Sequence, residues 1–432
     1  MVKPILKIGF ASALALLATA PIHAELVANA AVTASIAAAN APVADNVERY
    51  YAANGNRLIW LDKGTGAATL IAERLEHADL DGFGEGPARA AEIRAALASA
   101  ATPAARLEAD KVISKAWTRY VRNLEAPING VIYGDQRVTP RPKPVERILY
   151  DAGRAPSDVG YIRSEAMGNA VYERMRSAAI STYEAKGQRT PGRVLDNLSR
   201  VRALPAEGRF VLVDTASQNL MMYENGQLVD QMKVVVGKPQ YATPMISSMI
   251  YYAALNPYWH VPDHLVRETI APRAAKQGEA YMKRQGYEVV SEWNDNARVV
   301  PVSEVDWKAV AAGTSEAKVR QLPGPTNAMG KIKFYFANGE GIYLHDTPNK
   351  ELFAKSDRTL SNGCVRLEDA PRLARFLMGG MPSAPESSPE QIVKLDKGVP
   401  VFVTYLTVAE QNGQLNYIND VYNRDGAATA MN

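Results

Sequence analysis

Hydrophobic residues follow two different spacings along the chain, and the spacing changes near residue 205. Before this point apolar residues recur every three or four positions, as in residues 109–124, with charged residues between them. This period is typical of amphipathic helices. After it come short apolar runs, such as residues 210–213, and an Asn225-Gly226 pair that fits a tight hairpin turn. We therefore predict an α+β chain, with a helical scaffold domain at 47–187 followed by a mostly antiparallel β-sandwich or barrel at 205–408.

A long segment without the strand pattern lies inside the second domain, at residues 257–325. It contains two short segments with helical spacing and three of the five tryptophans. An insertion of this length in a compact domain usually has a function or is disordered. We predict that it forms a subdomain of its own.

The first residues of the chain have the pattern of an export signal. Residues 1–24 carry Lys3 and Lys7, then an apolar run, and end in small residues, which is typical of a secretory signal peptide. Cleavage after Ala24 and cleavage after Ala30 both fit this pattern. The alternative is an uncleaved N-terminal membrane anchor.

Composition and charge change this picture little. The sequence is 47% hydrophobic and 22% charged, with a formal net charge of +3. This is an ordinary globular composition, and it does not favour a nucleic-acid partner. After the leader, no stretch is long and apolar enough to suggest an integral membrane span. The alanine-rich residues 25–46 are predicted to be a flexible lead-in, and residues 409–432 a C-terminal tail.

Cys364 is the one cysteine in 432 residues. Exported proteins in oxidising compartments pair their cysteines, but this thiol has no partner in the chain. A thiol becomes a useful nucleophile when a base or a positive potential makes it a thiolate, and His345 ends an apolar run shortly before it. Gly363 would let main-chain N–H groups approach a developing oxyanion. The alternative is that Cys364 is a small buried hydrophobic residue.

Two short patterns suggest metal ligands but do not support a metal site. Residues 79–82 resemble the start of a calcium loop, yet the later ligands and the terminal glutamate are missing, which favours a simple turn. His260 and His264 have the spacing of a zinc pair, but Pro262 disrupts the helix that this spacing needs. We expect no metal and no cofactor.

Five short segments of the second domain form a recognisable pattern, in which a histidine is followed by a short cysteine motif. They are Val234-Val235-Val236-Gly237, Thr243-Pro244, Asn256-Pro257-Tyr258-Trp259-His260, Leu344-His345-Asp346-Thr347-Pro348 and Ser361-Asn362-Gly363-Cys364-Val365-Arg366. This pattern resembles the signature of L,D-transpeptidase (YkuD-type) catalytic domains. The resemblance covers residues 200–408 closely and the helical region more loosely, and it is strongest to the larger, multi-domain periplasmic members.

The resemblance implies a reaction on peptidoglycan stem peptides in the periplasm. Enzymes of this family attack the bond between the third residue and the D-Ala at position four, release D-Ala and form a cysteine thioester. They then pass the acyl group to the side-chain amine of another stem, making a 3→3 cross-link. The insertion at 257–325 would be the capping lid of the family, with a decorative surface subdomain as the alternative. Carbapenems would be expected to acylate the same cysteine.

The resemblance also assigns roles to single residues. Cys364 would be the nucleophile, and His345 would take its proton and later protonate the leaving amine. A third group often orients the histidine, and Asp346 and Ser361 both remain candidates. Asp346 lies next to His345, and neighbours on a strand face opposite sides.

Other residues of the motif are expected to bind the oxyanion or the substrate. The amides of Gly363 and Cys364, with Asn362 as a further candidate, would stabilise the oxyanion. Arg366 either pairs with a substrate carboxylate or holds the cysteine loop through carbonyl hydrogen bonds, and we favour the second because it belongs to the turn. The candidate substrate-binding residues are Arg366, Tyr343 and Trp259.

Several alternatives share the same motif. Water as acceptor would give an L,D-carboxypeptidase, a D-amino acid would give exchange, and an envelope protein would be anchored to peptidoglycan. A cysteine amidase acting on stem peptides and a non-catalytic wall-binding scaffold are the other classes. The 17 residues between the helical part and the first strand, 188–204, are too few for the separate glycan-binding module of some larger members. The role of the helical domain and its protein partners therefore stay open.

Overall fold

The computed structural model describes residues 43–294, 296–383 and 388–426. The predicted signal peptide and most of the predicted lead-in lie outside these residues. The first helix begins at Val43, inside the segment that the sequence predicts to be flexible.

The N-terminal part is helical, as its hydrophobic spacing predicts. Its longest helix starts at Pro103, where the Thr102 hydroxyl caps the helix by accepting from the Ala105 N–H. The helices of the described part before residue 205 are α1 (Val43–Ala53), α2 (Gly66–Glu76), α3 (Gly86–Ala98), α4 (Pro103–Leu124), α5 (Val145–Arg154), α6 (Asp158–Ala166), α7 (Ala170–Thr182) and α8 (Gly192–Arg202).

Two buried aspartates hold the helices together. Asp110 accepts from the main-chain N–H groups of Ile59, Trp60 and Leu61, which ties a loop to the middle of α4. Asp81 lies in the turn that resembles a calcium loop. Its carboxylate is occupied by other partners, because Arg176 donates to it at 2.8 Å and the Tyr120 hydroxyl at 2.6 Å.

The second part is a closed β-barrel in which eight strands pair in the order β5, β10, β11, β13, β4, β3, β2, β14 and back to β5. The pairs β11–β13 and β14–β2 are parallel and the other six are antiparallel. The predicted α+β class and mostly antiparallel β domain are confirmed. The barrel strands are β2 (Arg209–Asp214), β3 (Asn219–Glu224), β4 (Gln227–Gly237), β5 (Met245–Leu255), β10 (Ile332–Phe336), β11 (Leu344–His345), β13 (Val365–Leu367) and β14 (Gln391–Thr404).

The helical part is joined to the barrel more closely than the sequence suggests. Strand β1 (Val131–Tyr133) lies in the predicted helical domain, yet it pairs in parallel with β5. Gly134 follows it so closely against the barrel that a Cβ there would lie 1.6 Å from the Ala337 carbonyl oxygen. A shared apolar core continues the junction, with residues of α7 and α8 packed against Phe210 and Phe402.

The insertion at 257–325 is a subdomain with its own core. It has a four-stranded antiparallel sheet in the order β6, β9, β7, β8. Its apolar core includes Val266, Met282 and Trp307. Its elements are β6 (Trp259–His260), a short helical turn (Asp263–Ile270), α9 (Ala271–Gln285), β7 (Tyr287–Val290), β8 (Val299–Val300), α10 (Trp307–Ala312) and β9 (Lys318–Gln321).

Three further strands and one helix lie outside the barrel and the insertion. Strand β12 pairs with β4, helix α11 packs on the barrel, and strands β15 and β16 form a hairpin after the barrel. Their bounds are β12 (Thr359–Ser361), α11 (Ala370–Met378), β15 (Val408–Gln411) and β16 (Gln414–Tyr417). No helix among residues 43–294, 296–383 and 388–426 is both long and apolar enough to cross a membrane.

The segment that the sequence treats as a tail is packed against the barrel. Residues 420–426, which we call the C-terminal strap, follow the β15–β16 hairpin. Arg200 holds Asp425 in an ion pair of 2.9 Å, and Asp420 accepts from the Tyr405 hydroxyl at 2.8 Å. From there the Tyr422 hydroxyl donates to the carbonyl of Gly237, and the Arg424 guanidinium donates to that of Thr243 at 3.0 Å.

Removing the hydroxyl oxygen of Tyr422 tests the contact between the strap and the barrel. We expect Tyr422→Phe to lower the free energy of unfolding by about 1 kcal/mol, because it removes the bond to Gly237 while keeping the ring stack on Tyr405. Tyr417→Phe is the control, since the Tyr417 hydroxyl bonds only to another exposed hydroxyl. Urea unfolding measures both. Equal stability of the two variants would mean that the strap does not support the barrel.

Candidate active site

Three neighbouring strands bring the motif residues to one face of the barrel. In β10, β11 and β13 the residues Phe334, Leu344 and Val365 point inward and are fully buried in the barrel core. Side chains on a strand alternate between faces, so the residues on either side of these three positions share the outer face. Register places Lys333 opposite His345 and His345 opposite Arg366.

The outer face therefore carries a patch of six side chains from three strands. Lys333 of β10 lies opposite His345 of β11. Tyr335 and Tyr343 are the next pair on this face, and their ring centroids are 5.2 Å apart. We call this patch the catalytic face: it consists of Lys333, Tyr335, Tyr343, His345, Cys364 and Arg366.

The loop that carries the thiol is closed by its own serine. The Ser361 hydroxyl donates to the carbonyl of Cys364 at 2.6 Å and accepts from the N–H of Gly363 at 3.2 Å. Gly363 has φ +118°, a conformation that L side chains rarely adopt. The turn thus needs both a hydroxyl at 361 and a glycine at 363.

A threonine holds the same loop from behind. The Thr243 hydroxyl donates to the carbonyl of Gly363 at 2.7 Å and accepts from the N–H of Gly237 at 2.9 Å. Gly237 lies so near that a Cβ there would be 2.1 Å from the Tyr241 carbonyl oxygen. The segments around 237 and 243, which carry part of the family resemblance, therefore support the cysteine loop rather than contact the thiol.

The thiol of Cys364 lies beside the segment that leads into β11. Its sulfur is 3.6 Å from the carbonyl oxygen of Gly341. Burial raises the pKa of the thiol, while the Tyr343 N–H and the charges of Lys333 and Arg366 oppose that rise.

His345 is a neutral base of defined tautomer. Its Nδ1 lies 2.5 Å from the carbonyl oxygen of Asp346. Because a carbonyl can only accept, Nδ1 carries the proton and Nε2 is left with the lone pair. The side chain is 2% exposed. This burial and the nearby charge of Arg366 lower the pKa of the imidazole to about 3, so that it is uncharged at neutral pH.

The two candidates for the third group act through different atoms. Asp346 contacts the imidazole through its main-chain carbonyl. Its carboxylate is engaged elsewhere, since it accepts from the Lys331 N–H at 2.9 Å and pairs with Lys350 at 2.8 Å. Ser361 contacts the cysteine loop instead. Among the predicted oxyanion donors, the Gly363 amide is occupied by Ser361, and Asn362 is an exposed residue at the tip of the loop.

The predicted substrate-binding residues lie in three different settings. The guanidinium of Arg366 has no hydrogen-bond or ion-pair partner within the described ranges, so it does not hold the turn by bonds to carbonyl groups, and its charge interacts with Cys364. Tyr343 is half-buried on the catalytic face with the Lys333 ammonium 3.7 Å above its ring. Trp259 packs against the core of the insertion instead of lying on the catalytic face.

Lys333 belongs to the catalytic face, although no motif or pattern in the sequence points to it. Alternation within 331–336 makes it look like a solvated strand residue, yet it is only 4% exposed. Its ammonium lies 4.3 Å from the Tyr335 ring centroid as well as over Tyr343. Burial lowers the pKa of Lys333 to about 8, against the opposing charges of Glu390 and Cys364.

The insertion lies over the catalytic face. His264 stacks on Tyr241 at 5.3 Å, beside the support of the cysteine loop. The Tyr258 N–H donates to Glu390 at 2.6 Å, and Glu390 also accepts from the Tyr335 hydroxyl at 2.8 Å. The charge of Lys333 lowers the pKa of His260 in addition to the effect of burial. These contacts place the insertion beside the catalytic face.

The described residues offer no metal centre. No group of three or more histidine, cysteine, aspartate or glutamate side chains in the described ranges is arranged to hold an ion.

Comparison with known proteins agrees with this geometry. Residues 208–403 match the family model of the L,D-transpeptidase catalytic domain (YkuD), and residues 45–178 match that of a scaffold domain. A Haemophilus influenzae protein named "Putative L,D-transpeptidase" is 29% identical over 275 residues, which are 61% of this chain and 55% of the relative. The chain thus spans about half the length of that relative.

Two solved structures are also similar. One is an L,D-transpeptidase from Mycobacterium smegmatis, with 12% identity and a TM-score of 0.25, covering 46% of this chain and 60% of the other. The second is an Enterococcus faecium L,D-transpeptidase mutant, with 11% identity and a TM-score of 0.20, covering 47% of this chain and 52% of the other.

The chain therefore carries an L,D-transpeptidase catalytic domain of the YkuD family, preceded by a scaffold domain. This confirms the family that the motif residues suggest.

Thr243 provides a test of the loop support. We expect Thr243→Val to slow acylation of Cys364 and to destabilise the fold, because it leaves the Gly237 N–H and the Gly363 carbonyl buried without partners. Each such group costs about 1–3 kcal/mol. Thr243→Ser keeps the hydroxyl and is the control. If valine and serine variants behave alike in urea unfolding and in acylation rate, the hydroxyl does not hold the loop.

The buried imidazole predicts a pH dependence of stability. In the unfolded chain His345 binds a proton below about pH 6.5, but in the folded protein it does so only near pH 3. As the pH falls from about 6.5 towards 3, the free energy of unfolding should therefore decrease by up to about 1.4 kcal/mol per pH unit, relative to a His345→Gln variant. Unfolding free energies at pH 4–8 measure the difference. Parallel curves for the two proteins would contradict a buried neutral histidine.

Proposed function

We propose that the protein is a peptidoglycan L,D-transpeptidase that forms 3→3 cross-links between stem peptides through a thioester on Cys364. The observation that carries this proposal is the catalytic face, on which a thiol, a neutral imidazole with a free Nε2 and two cations share one surface under a lid. The family match of residues 208–403 supports the substrate class.

The first half-reaction would form the thioester. As the Cys364 sulfur attacks the carbonyl carbon of the third stem residue, the Nε2 of His345 accepts the thiol proton. The carbon–nitrogen bond to D-Ala then breaks, and the imidazolium returns the proton to the leaving amine. A base that is neutral at rest suits this order of events, because the pKa of the imidazole is held low and that of the thiol is held high.

The second half-reaction would reverse these steps with another amine. The side-chain amine of a second stem attacks the thioester carbonyl, His345 removes a proton from it, and the carbon–sulfur bond breaks. The lid would exclude water at this stage, which favours the amine over hydrolysis. Its contacts at Tyr241 and Glu390 flank the catalytic face on two sides.

One charged group of the catalytic face is available for a carboxylate of the stems. The Arg366 guanidinium has no hydrogen-bond or ion-pair partner among the described residues, and Arg366 lies next to His345 in register. A guanidinium binds a carboxylate through paired hydrogen bonds, so Arg366 is the best candidate for a stem carboxylate. Tyr343 would line the same cleft.

The reaction is expected to take place in the periplasm, because residues 1–24 have the pattern of a signal peptide. Carbapenems would acylate Cys364 by the same attack on a carbonyl carbon. Hydrolysis of the thioester, exchange with a D-amino acid and anchoring of an envelope protein would share the first half-reaction.

The proposal is tested by product analysis with a disaccharide-tetrapeptide as donor, with and without a second stem as acceptor. We expect a cross-linked dimer that has lost one D-Ala, and none from Cys364→Ala, which should fold normally because it removes one sulfur atom from a loop. Arg366→Lys, which keeps the charge, is a matched variant for the substrate carboxylate. Tripeptide without dimer would make the protein a carboxypeptidase, and dimer formation by Cys364→Ala would refute the mechanism.

A further inference from the structure

Lys333 is a buried cation for which the fold supplies no ordinary partner. It is 4% exposed. In the described ranges no carboxylate is within ion-pair distance of its ammonium group, and no carbonyl accepts from it. Burying most of a lysine side chain with no carboxylate or carbonyl partner for its ammonium group is costly, so its position needs an explanation beyond packing.

The barrel places this lysine on the same face as the thiol. Lys333 and His345 are opposed in the β10–β11 register, so their side chains share the outer face. Cys364 precedes β13, two residues from Arg366, which lies opposite His345 on the other side. The ammonium is 3.7 Å from the ring centroid of Tyr343, and the charges of Lys333 and Cys364 act on each other's pKa.

We propose that Lys333 is a positioning residue whose ammonium group, held against the Tyr343 ring, stabilises the thiolate of Cys364. The inference rests on the proposed role of Cys364 as nucleophile. The rings of Tyr335 and Tyr343 attract the Lys333 ammonium to their faces. No carboxylate of the described residues lies within ion-pair distance of it. The charge is therefore available to the sulfur when it loses its proton to His345.

Several groups face Lys333 and contribute to its charge state. Its pKa of about 8 reflects burial, partly offset by Glu390 and Cys364. In turn Lys333 lowers the pKa of two histidines. The charged and titratable groups around it are Glu390 before β14, Cys364 and His345 on the catalytic face, Tyr335 on its own strand, Tyr343 before β11 and His260 on the lid.

The charge on Lys333 gives the thiol a characteristic titration. Attraction between a thiolate and an ammonium group separates the two deprotonation steps, so the thiolate appears over a wider pH range than one titration would give. Below about pH 8 the lysine is charged and favours the thiolate; above this pH it loses the charge and the effect disappears. Replacing it with arginine should leave a single step.

The experiment is the rate of alkylation by iodoacetamide from pH 6 to 10. Cys364 is the one cysteine in the sequence, so the rate reports this thiol alone, whether or not the protein cross-links stem peptides. We expect Lys333→Met to move the profile to higher pH and to slow alkylation at pH 7, by about tenfold for each unit that the thiol pKa rises. Lys333→Arg should return the profile towards that of the unchanged protein, as a single titration.

The control is Lys233→Met, which removes the same charge from the barrel at a lysine bonded to the carbonyl of Phe353. Thermal unfolding of all variants shows that they are folded. Two outcomes would overturn the proposal: a Lys333→Met profile that coincides with that of the unchanged protein or of the control, and a folded Lys333→Arg variant as slow as Lys333→Met. Lost cross-linking with an unshifted alkylation profile would assign Lys333 a merely structural role and would leave the proposed function intact.

Discussion

The two-residue period of three short paired strands is the constraint on which the site depends. Because Phe334, Leu344 and Val365 must fill the barrel core, the residues beside them have to face outward together. A shift of one residue in any of these strands would exchange the two faces. It would place a lysine or a histidine in the core and the thiol out of reach. The burial of these three residues, which stabilises the barrel, therefore also fixes which side chains share the catalytic face.

Support for the thiol comes from distant parts of the chain. The cysteine loop is closed by Ser361, held by Thr243 and backed by Gly237. The C-terminal strap in turn bonds to the carbonyls of Gly237 and Thr243. Each bond is modest by itself, but each leaves a buried polar group unsatisfied when it is lost. The lid then covers a face that is already ordered.

Local patterns in the sequence predict most of the helices and barrel strands, and the motif marks Cys364 and His345 as the candidate dyad. Helix α8 was not predicted, because residues 188–204 were interpreted as a short connection. Helical spacing predicts α4, the Asn225-Gly226 pair predicts the β3–β4 hairpin, and the motif picks out Cys364 and His345. Long-range pairings are not visible in such patterns, and for this reason β1 and the strap were missed. Lys333 was missed because its burial comes from the lid and two tyrosine rings, not from its neighbours in sequence. The Asp346 carboxylate points away from His345, as alternation along a strand suggests.

The most direct test is the mass of the protein after brief mixing with a disaccharide-tetrapeptide in the absence of an acceptor. The account predicts an adduct equal to the donor minus D-Ala, located by peptide mapping on Cys364 and released by hydroxylamine. Release of D-Ala without any adduct on Cys364, or an adduct on another residue, would contradict the assignment of the catalytic face.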